Sequence, residues 1–92
     1  MYDVRLSHQA QKDAVKIERS GLKPKTAEII RTVRKKPYAE TQGFEKLKGD
    51  LQGSYSRRIN RQHRFVYEIL PNANGAPFDG IVKVLSMWTH YE

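Results

Sequence analysis

The chain has 92 residues, room for a single domain over residues 1–92 with one modest core worth about 5–10 kcal/mol of net stability. Its formal net charge of +7 and pI near 9.9 predict a polyanionic partner, nucleic acid or an acidic protein, and less readily an anionic membrane. The absence of cysteine excludes disulfides, thiolate chemistry and the commonest zinc arrangement. No apolar run after Met1 resembles a signal sequence and none reaches membrane-spanning length, so a cytoplasmic protein with no membrane partner is expected.

The first element is a short half-buried strand, "YDVRL", with Tyr2, Val4 and Leu6 on one side and Asp3 and Arg5 on the other. Ser7 offers an N-cap to a helix whose stripe is Ala10, Ala14 and Ile17, widened by Val15; Gly21 is its left-handed stop. A second helix starts near Pro24, buries Ala27, Ile29, Ile30 and Val33, crowds basic residues into its last turn and halts at Pro37. The very short link between the two predicts an antiparallel helix pair.

Residues 38–53 read as loop, with one small strand around residues 45–48. "SYSRRIN" and "RFVYEIL" then alternate as two strands of a tight hairpin, with Tyr55, Arg57, Ile59, Phe65, Tyr67 and Ile69 directed inward. Residues 71–79, rich in Pro, Asn and Gly, read as a loop, and "GIVKVLSMW" as an apolar strand inside the sheet. Strand, helix pair, then successive strands define an α+β fold: two helices on one face of a mostly antiparallel twisted sheet of four to five strands. The other face is left to solvent or a partner.

Four arginines and a histidine fall between positions 57 and 64. Alternation puts Arg58 and Arg64 on the open face, while Arg61 and His63 fall in the turn. Arg57 points inward with Ile59 under strict alternation, and a bulge or an edge position would relieve the cost of burying it. The cations outnumber their nearby carboxylates, Glu68 and Asp50, so cross-strand pairing alone does not account for them. Planar guanidinium forks suit phosphate. The candidate phosphate-binding set is therefore Lys48, Arg57, Arg58 and Arg61.

Glu45 and Lys48 precede the hairpin, and His90 and Tyr91 follow the last strand. Brought onto one face with Arg64, they fit metal-free RNA cleavage: a base takes the proton of a ribose 2′-OH, which attacks the neighbouring phosphorus. Cations stabilise the added charge and an acid protonates the departing 5′-oxygen. His8, His63 and His90 are too scattered to suggest a metal site, and no cofactor is expected.

The run "FEKLKGDLQGSYSRRINRQHRFVYEI", with "HY" near the end, resembles the YoeB/Txe branch of the RelE-type toxins of bacterial toxin–antitoxin modules. The shared pattern is E-x-L-K, then L-x-G-x-x-S-R-R-I, H-R-[LF]-V-Y and a terminal His-Tyr, matched from Glu45 to Tyr91. The resemblance implies a RelE-like fold and an endoribonuclease that cuts mRNA in the ribosomal A site. It also implies an acidic antitoxin of the YefM/Axe kind, operator DNA bound only through the complex of the two, and a homodimer as one arrangement open to the branch. On the matching positions Glu45 is the general base, Arg64 the transition-state arginine, His90 the general acid and Tyr91 an orienting or stacking group. Lys48 and Arg58 match auxiliary basic positions. Three departures stand out: Glu92 after the His-Tyr, a long loop over residues 71–79, and Tyr55 where the branch often has tryptophan. A ParE-type inhibitor of DNA gyrase and a non-catalytic nucleic-acid-binding module are the competing readings, since a shared fold does not fix function.

Overall fold

The computed structural model describes residues 1–72, 75 and 77–89. Strand β1 (Asp3–Leu6) leads into helix α1 (His8–Arg19), and α2 (Lys23–Lys35) follows. Strands β2 (Glu45–Lys46), β3 (Ser54–Arg58), β4 (Arg64–Pro71) and β5 (Gly80–Ser86) complete the order. They form one five-stranded sheet in the order β1-β5-β4-β3-β2, parallel only between β1 and β5. The expected α+β architecture is the one found.

Local chemistry explains the helix boundaries. Ser7 accepts a hydrogen bond from the Ala10 amide and donates its own hydroxyl proton to Leu85 O, so one residue caps α1 and ties it to β5. At the other end Gly21, at φ +72°, lets the Leu22 amide reach Ile17 O and its own amide reach Glu18 O, the two bonds of a Schellman stop. Pro24 lies in the first turn of α2, where a missing N–H costs nothing, and Pro37 keeps the helix from continuing.

The two stripes are not entirely apolar. On α1 the buried positions are Ala10, Asp13 and Ile17, while Val15 is 49% exposed and does not widen the stripe. On α2 Thr26, Ile29 and Val33 are buried, and Ile30 packs at the margin. Asp13 is fully buried because its carboxylate has work there: Oδ2 accepts the Met87 amide at 2.9 Å and Oδ1 accepts Gln9 Nε2 at 2.9 Å. The core beneath the helices is built from Ile59, Phe65, Tyr67, Val82, Val84 and Met87.

Strand β5 ends earlier than its apolar run. Val66 pairs with Ser86 and Tyr67 with Val84, which leaves Leu85 as the extra residue of a β-bulge. The bulge changes the alternation, so Leu85 and Ser86 both face the open side and Met87 turns into the core.

Arg57 is the principal correction to the phosphate-binding set. It has 0% exposure and lies in the core side of β3, as alternation indicated, with neither bulge nor edge to release it. Its guanidinium is held by neutral oxygens. Nη2 donates to Pro37 O at 3.0 Å and Ala39 O at 2.8 Å, Nη1 to Thr41 O at 2.9 Å, and Nε to the Tyr67 hydroxyl at 3.1 Å. The Phe44 ring lies 5.0 Å from its centre. Arg57 therefore organises the segment after α2 and meets no solvent phosphate.

Tyr67 completes this network by donating to Pro37 O at 2.6 Å. Burial raises its pKa above the usual 10.0, against the lowering effect of Arg57. The folded state thus holds the phenolic proton more tightly than the unfolded chain does. That contribution to stability is fully present below the ordinary tyrosine value and is lost as pH rises through the raised one. Tyr67→Phe should cost about 1–3 kcal/mol, because Arg57 Nε loses its acceptor in the core. Urea melts at pH 7 measure that cost. The parent's loss of stability above pH ~10 should also be shallower in the variant.

Candidate active site

Strands β2, β3 and β4 carry the charged residues of the open face. Glu45 pairs with Ser56 across β2 and β3, and Arg58 pairs with Arg64 across β3 and β4, so all four side chains emerge on the side away from the helices. Glu45 and Arg64 are separated by β3, about 9–10 Å from strand to strand. The arginine spans that gap, with Nη1 3.2 Å from Glu45 Oε2. Ser56 occupies the intervening strand, and its small side chain leaves room for the guanidinium to cross. Its own Oγ is buried without a hydrogen-bond partner among the described residues.

Beside the ion pair runs a groove of about 510 Å³, lined by Leu47, Leu51, Val66, Leu85, Trp88 and Arg64. It is mainly apolar, with a cation at one side. Such a surface can take a flat, partly apolar group while a charged neighbour is held by the arginine. Thr89 also lines this groove. His90, Tyr91 and Glu92, which follow it, lie outside the described residues, as do positions 73, 74 and 76 of the long loop.

The remaining candidate cations are exposed. Arg58 is exposed and rests on Gly43, where an added Cβ would come 3.1 Å from Arg58 Cβ; Gly43 also has φ +68°, so glycine is needed there twice over. Arg61 is exposed in the turn and shares a second depression with Arg58 and Lys25. Lys48 is exposed past the end of β2, in a third depression with Lys46 and Tyr55. The structure thus brings Glu45, Arg64 and Arg58 onto one face, leaves Lys48 and Arg61 exposed in separate depressions, and removes Arg57.

Sequence reasoning passed over His63. It is 3% exposed, its ring stacks on Trp88 at 3.8 Å between centroids, and its Nδ1 accepts the Thr89 amide at 3.0 Å. Asn60 folds the turn beneath it by accepting the amides of Gln62 and His63 on Oδ1. The Thr89 hydroxyl adds a hydrogen bond to Gln62 O.

Two helices on one face of a mixed five-stranded sheet, with a cationic open face, define a RelE-like α+β domain. The chain belongs to the YoeB-like toxins of bacterial type II toxin–antitoxin systems, whose family model matches residues 6–91. Among solved structures it is similar to a YoeB/ParE toxin from Agrobacterium tumefaciens, at 27% identity and TM-score 0.81 over 97% of this chain and 99% of that one. It is also similar to YoeB in a YoeB–YefM complex from Staphylococcus aureus, at 29% identity and TM-score 0.77 over 99% of both chains. A YoeB dimer from Staphylococcus aureus matches at 30% identity and TM-score 0.75 over 98% of both. YafQ from E. coli shares the fold at 13% identity and TM-score 0.72. A comparison with curated sequences returned no match. Among the described residues no helix is long and apolar enough to cross a membrane.

Proposed function

We propose that this toxin is a metal-independent endoribonuclease that cuts mRNA in the ribosomal A site and so stops translation. The observation that carries the reading is the Glu45–Arg64 pair, 3.2 Å apart on the open face beside a groove. Both partners are substantially exposed, 59% for the carboxylate and 42% for the guanidinium, and an ion pair of that kind contributes only ~0–1 kcal/mol. An incoming phosphate can therefore take Arg64 from Glu45 at little cost and leave the carboxylate free to accept a proton.

The chemistry follows from those two roles. Glu45 removes the 2′-OH proton, the 2′-oxygen bonds to the adjacent phosphorus, and the bond to the 5′-oxygen breaks to give a 2′,3′-cyclic phosphate and a 5′-OH. Arg64 donates to the phosphoryl oxygens as their charge grows. His90 protonates the leaving oxygen and Tyr91 orients the substrate. Lys48, Arg58 and Arg61 hold flanking phosphates.

In the cell the basic face is covered by an acidic antitoxin of the YefM kind, as the Staphylococcus aureus complex is named for its own pair. Operator DNA is reached through that complex. A homodimer is a further form to expect, as in the Staphylococcus aureus YoeB dimer.

Primer extension on an mRNA in a purified translation system, with and without ribosomes, tests the proposal. Cuts at A-site codons only when ribosomes are present support it. Intact mRNA with arrested supercoiling would favour a ParE-type gyrase inhibitor, and neither effect would leave a binding module. Lys48→Ala and Arg58→Ala should each weaken engagement of the ribosome-bound message. Each should also lower the slope of log affinity against log salt by roughly 0.7–0.9, the amount expected for one lost phosphate contact. Binding titrations between 50 and 200 mM salt measure it, and an unchanged slope would remove that residue from the set.

A further inference from the structure

We infer that Ser56 is a positioning residue for the cleavage reaction: its buried hydroxyl becomes the hydrogen-bond donor to the Glu45 carboxylate when substrate phosphate draws Arg64 away. The inference rests on the nuclease reading above and deepens it at the general base. It starts from a motif serine that has no other task. In the run from Ser56 to Ile59, Arg57 is locked into the core network, Arg58 is exposed on the open face, and Ile59 is buried in the core. Ser56 has 0% exposure, and its Oγ is one of two buried side-chain polar atoms without a hydrogen-bond partner among the described residues. The other, Thr26 Oγ1, belongs to α2 on the far side of the sheet. Leaving a buried hydroxyl unpaired costs about 1–3 kcal/mol. That cost points to a partner which the resting arrangement withholds.

The strand register names the partner. Ser56 stands directly opposite Glu45 across β2 and β3, and opposite Val66 across β3 and β4. Side chains facing each other across an antiparallel pair have Cβ atoms about 4.5–5.5 Å apart. A carboxyl group carried two bonds beyond its Cβ and a hydroxyl carried one bond beyond its own close such a gap by rotation about side-chain torsions alone. In the resting state the carboxylate is engaged elsewhere. Its Oε2 lies 3.2 Å from Arg64 Nη1, and among the described residues that guanidinium is its only donor. The arginine reaches it from β4 across β3, the strand that carries Ser56.

The two donors then act in turn. While Arg64 holds Glu45, the serine hydroxyl is idle. Once a phosphate takes the guanidinium, Ser56 hydrogen-bonds one carboxylate oxygen and leaves the other to accept the 2′-OH proton. The serine keeps its own proton throughout and touches no substrate. What it supplies is orientation. Glu45 sits on an exposed two-residue strand at the edge of the sheet, where a carboxylate without a donor swings freely into solvent. A misplacement of about 1 Å in such a constellation can cost ~100-fold in rate.

Ser56→Ala removes the donor and the unpaired hydroxyl together, so rate and stability should part. On programmed ribosomes the full-length variant should lose about 10–100-fold in kcat with KM little changed, the effect of losing one hydrogen bond to a charged group. Its urea midpoint should equal or exceed the parent's, because nothing in the resting fold loses a partner. Ser56→Thr keeps the hydroxyl on a strand-favouring residue and should recover most of the rate. In a Glu45→Gln background the alanine change should cost nothing further, since the serine acts through the carboxylate. Parental kcat in Ser56→Ala, or an equal loss with and without the Glu45 carboxylate, overturns the positioning role. A fall in the urea midpoint that accounts for the lost rate makes Ser56 a packing residue, and the inference fails while the nuclease reading stands. A parent that cuts no message on ribosomes removes both.

Discussion

Arg57→Ala should leave the domain largely unfolded at 37 °C, whatever its effect on RNA. The side chain is fully buried, and its donors satisfy the carbonyls of Pro37, Ala39 and Thr41. Removing it takes their donor from the Ala39 and Thr41 carbonyls, leaves Pro37 O with Tyr67 alone, and breaks the tie between β3 and the segment that follows α2. Each buried polar partner left unsatisfied costs about 1–3 kcal/mol, together a large share of the ~5–10 kcal/mol that a domain of this size commands. Arg57→Lys should recover little, because one ammonium group cannot reach the separate oxygens that the planar fork bridges. Urea melts of Arg57→Ala beside Arg58→Ala and Arg61→Ala check this. The two exposed variants should stay within about 0.5 kcal/mol of the parent. An Arg57→Ala protein with parental stability would show that the network contributes nothing net.

The same residue marks where sequence reading reached and where it stopped. Alternation along β3 placed Arg57 on the inner face correctly, because the period of a strand is a local property. Its oxygen partners were invisible for the opposite reason: they are backbone carbonyls from a loop 16 to 20 residues upstream, which carry no sequence signal. An arginine pointing inward without a carboxylate partner in view was therefore assigned to phosphate.

Asp13 was passed over in a related way. It lies three residues after Ala10 and four before Ile17, squarely on the buried stripe, but a stripe read from apolar residues skips a carboxylate. One of its partners is an amide 74 residues away. The change of side after Val84 depended on the Leu85 bulge, and a single extra residue in a strand leaves little trace in the sequence. What was legible was what repetition or a short motif encodes: the helix pair with its caps at Ser7 and Gly21, the hairpin, and the side of the sheet on which Glu45, Arg58 and Arg64 emerge.

Arg64→Ala should abolish most cleavage without loosening the fold. Removing a single donor that stabilises developing charge costs about 100–1000-fold in turnover, while an arginine 42% exposed and paired only at the surface contributes little to stability. Glu45→Gln should lose about 100–10,000-fold, since the amide keeps the shape but cannot accept the proton. Their different dependence on salt separates the two roles. Arg64→Ala deletes a phosphate contact and should reduce the salt slope of binding, whereas Glu45→Gln removes a negative charge from a cationic face and should bind the message at least as tightly as the parent. Single-turnover cleavage on programmed ribosomes, read alongside binding titrations, resolves rate from affinity for each variant. The decisive comparison is Arg64→Lys, which preserves the charge and hence the steering but loses the fork. If it binds like the parent yet cuts about as slowly as Arg64→Ala, the guanidinium acts in the transition state. If it cuts at the parental rate, Arg64 serves only to attract the message, and the ion pair with Glu45 is a surface contact that happens to lie beside the groove.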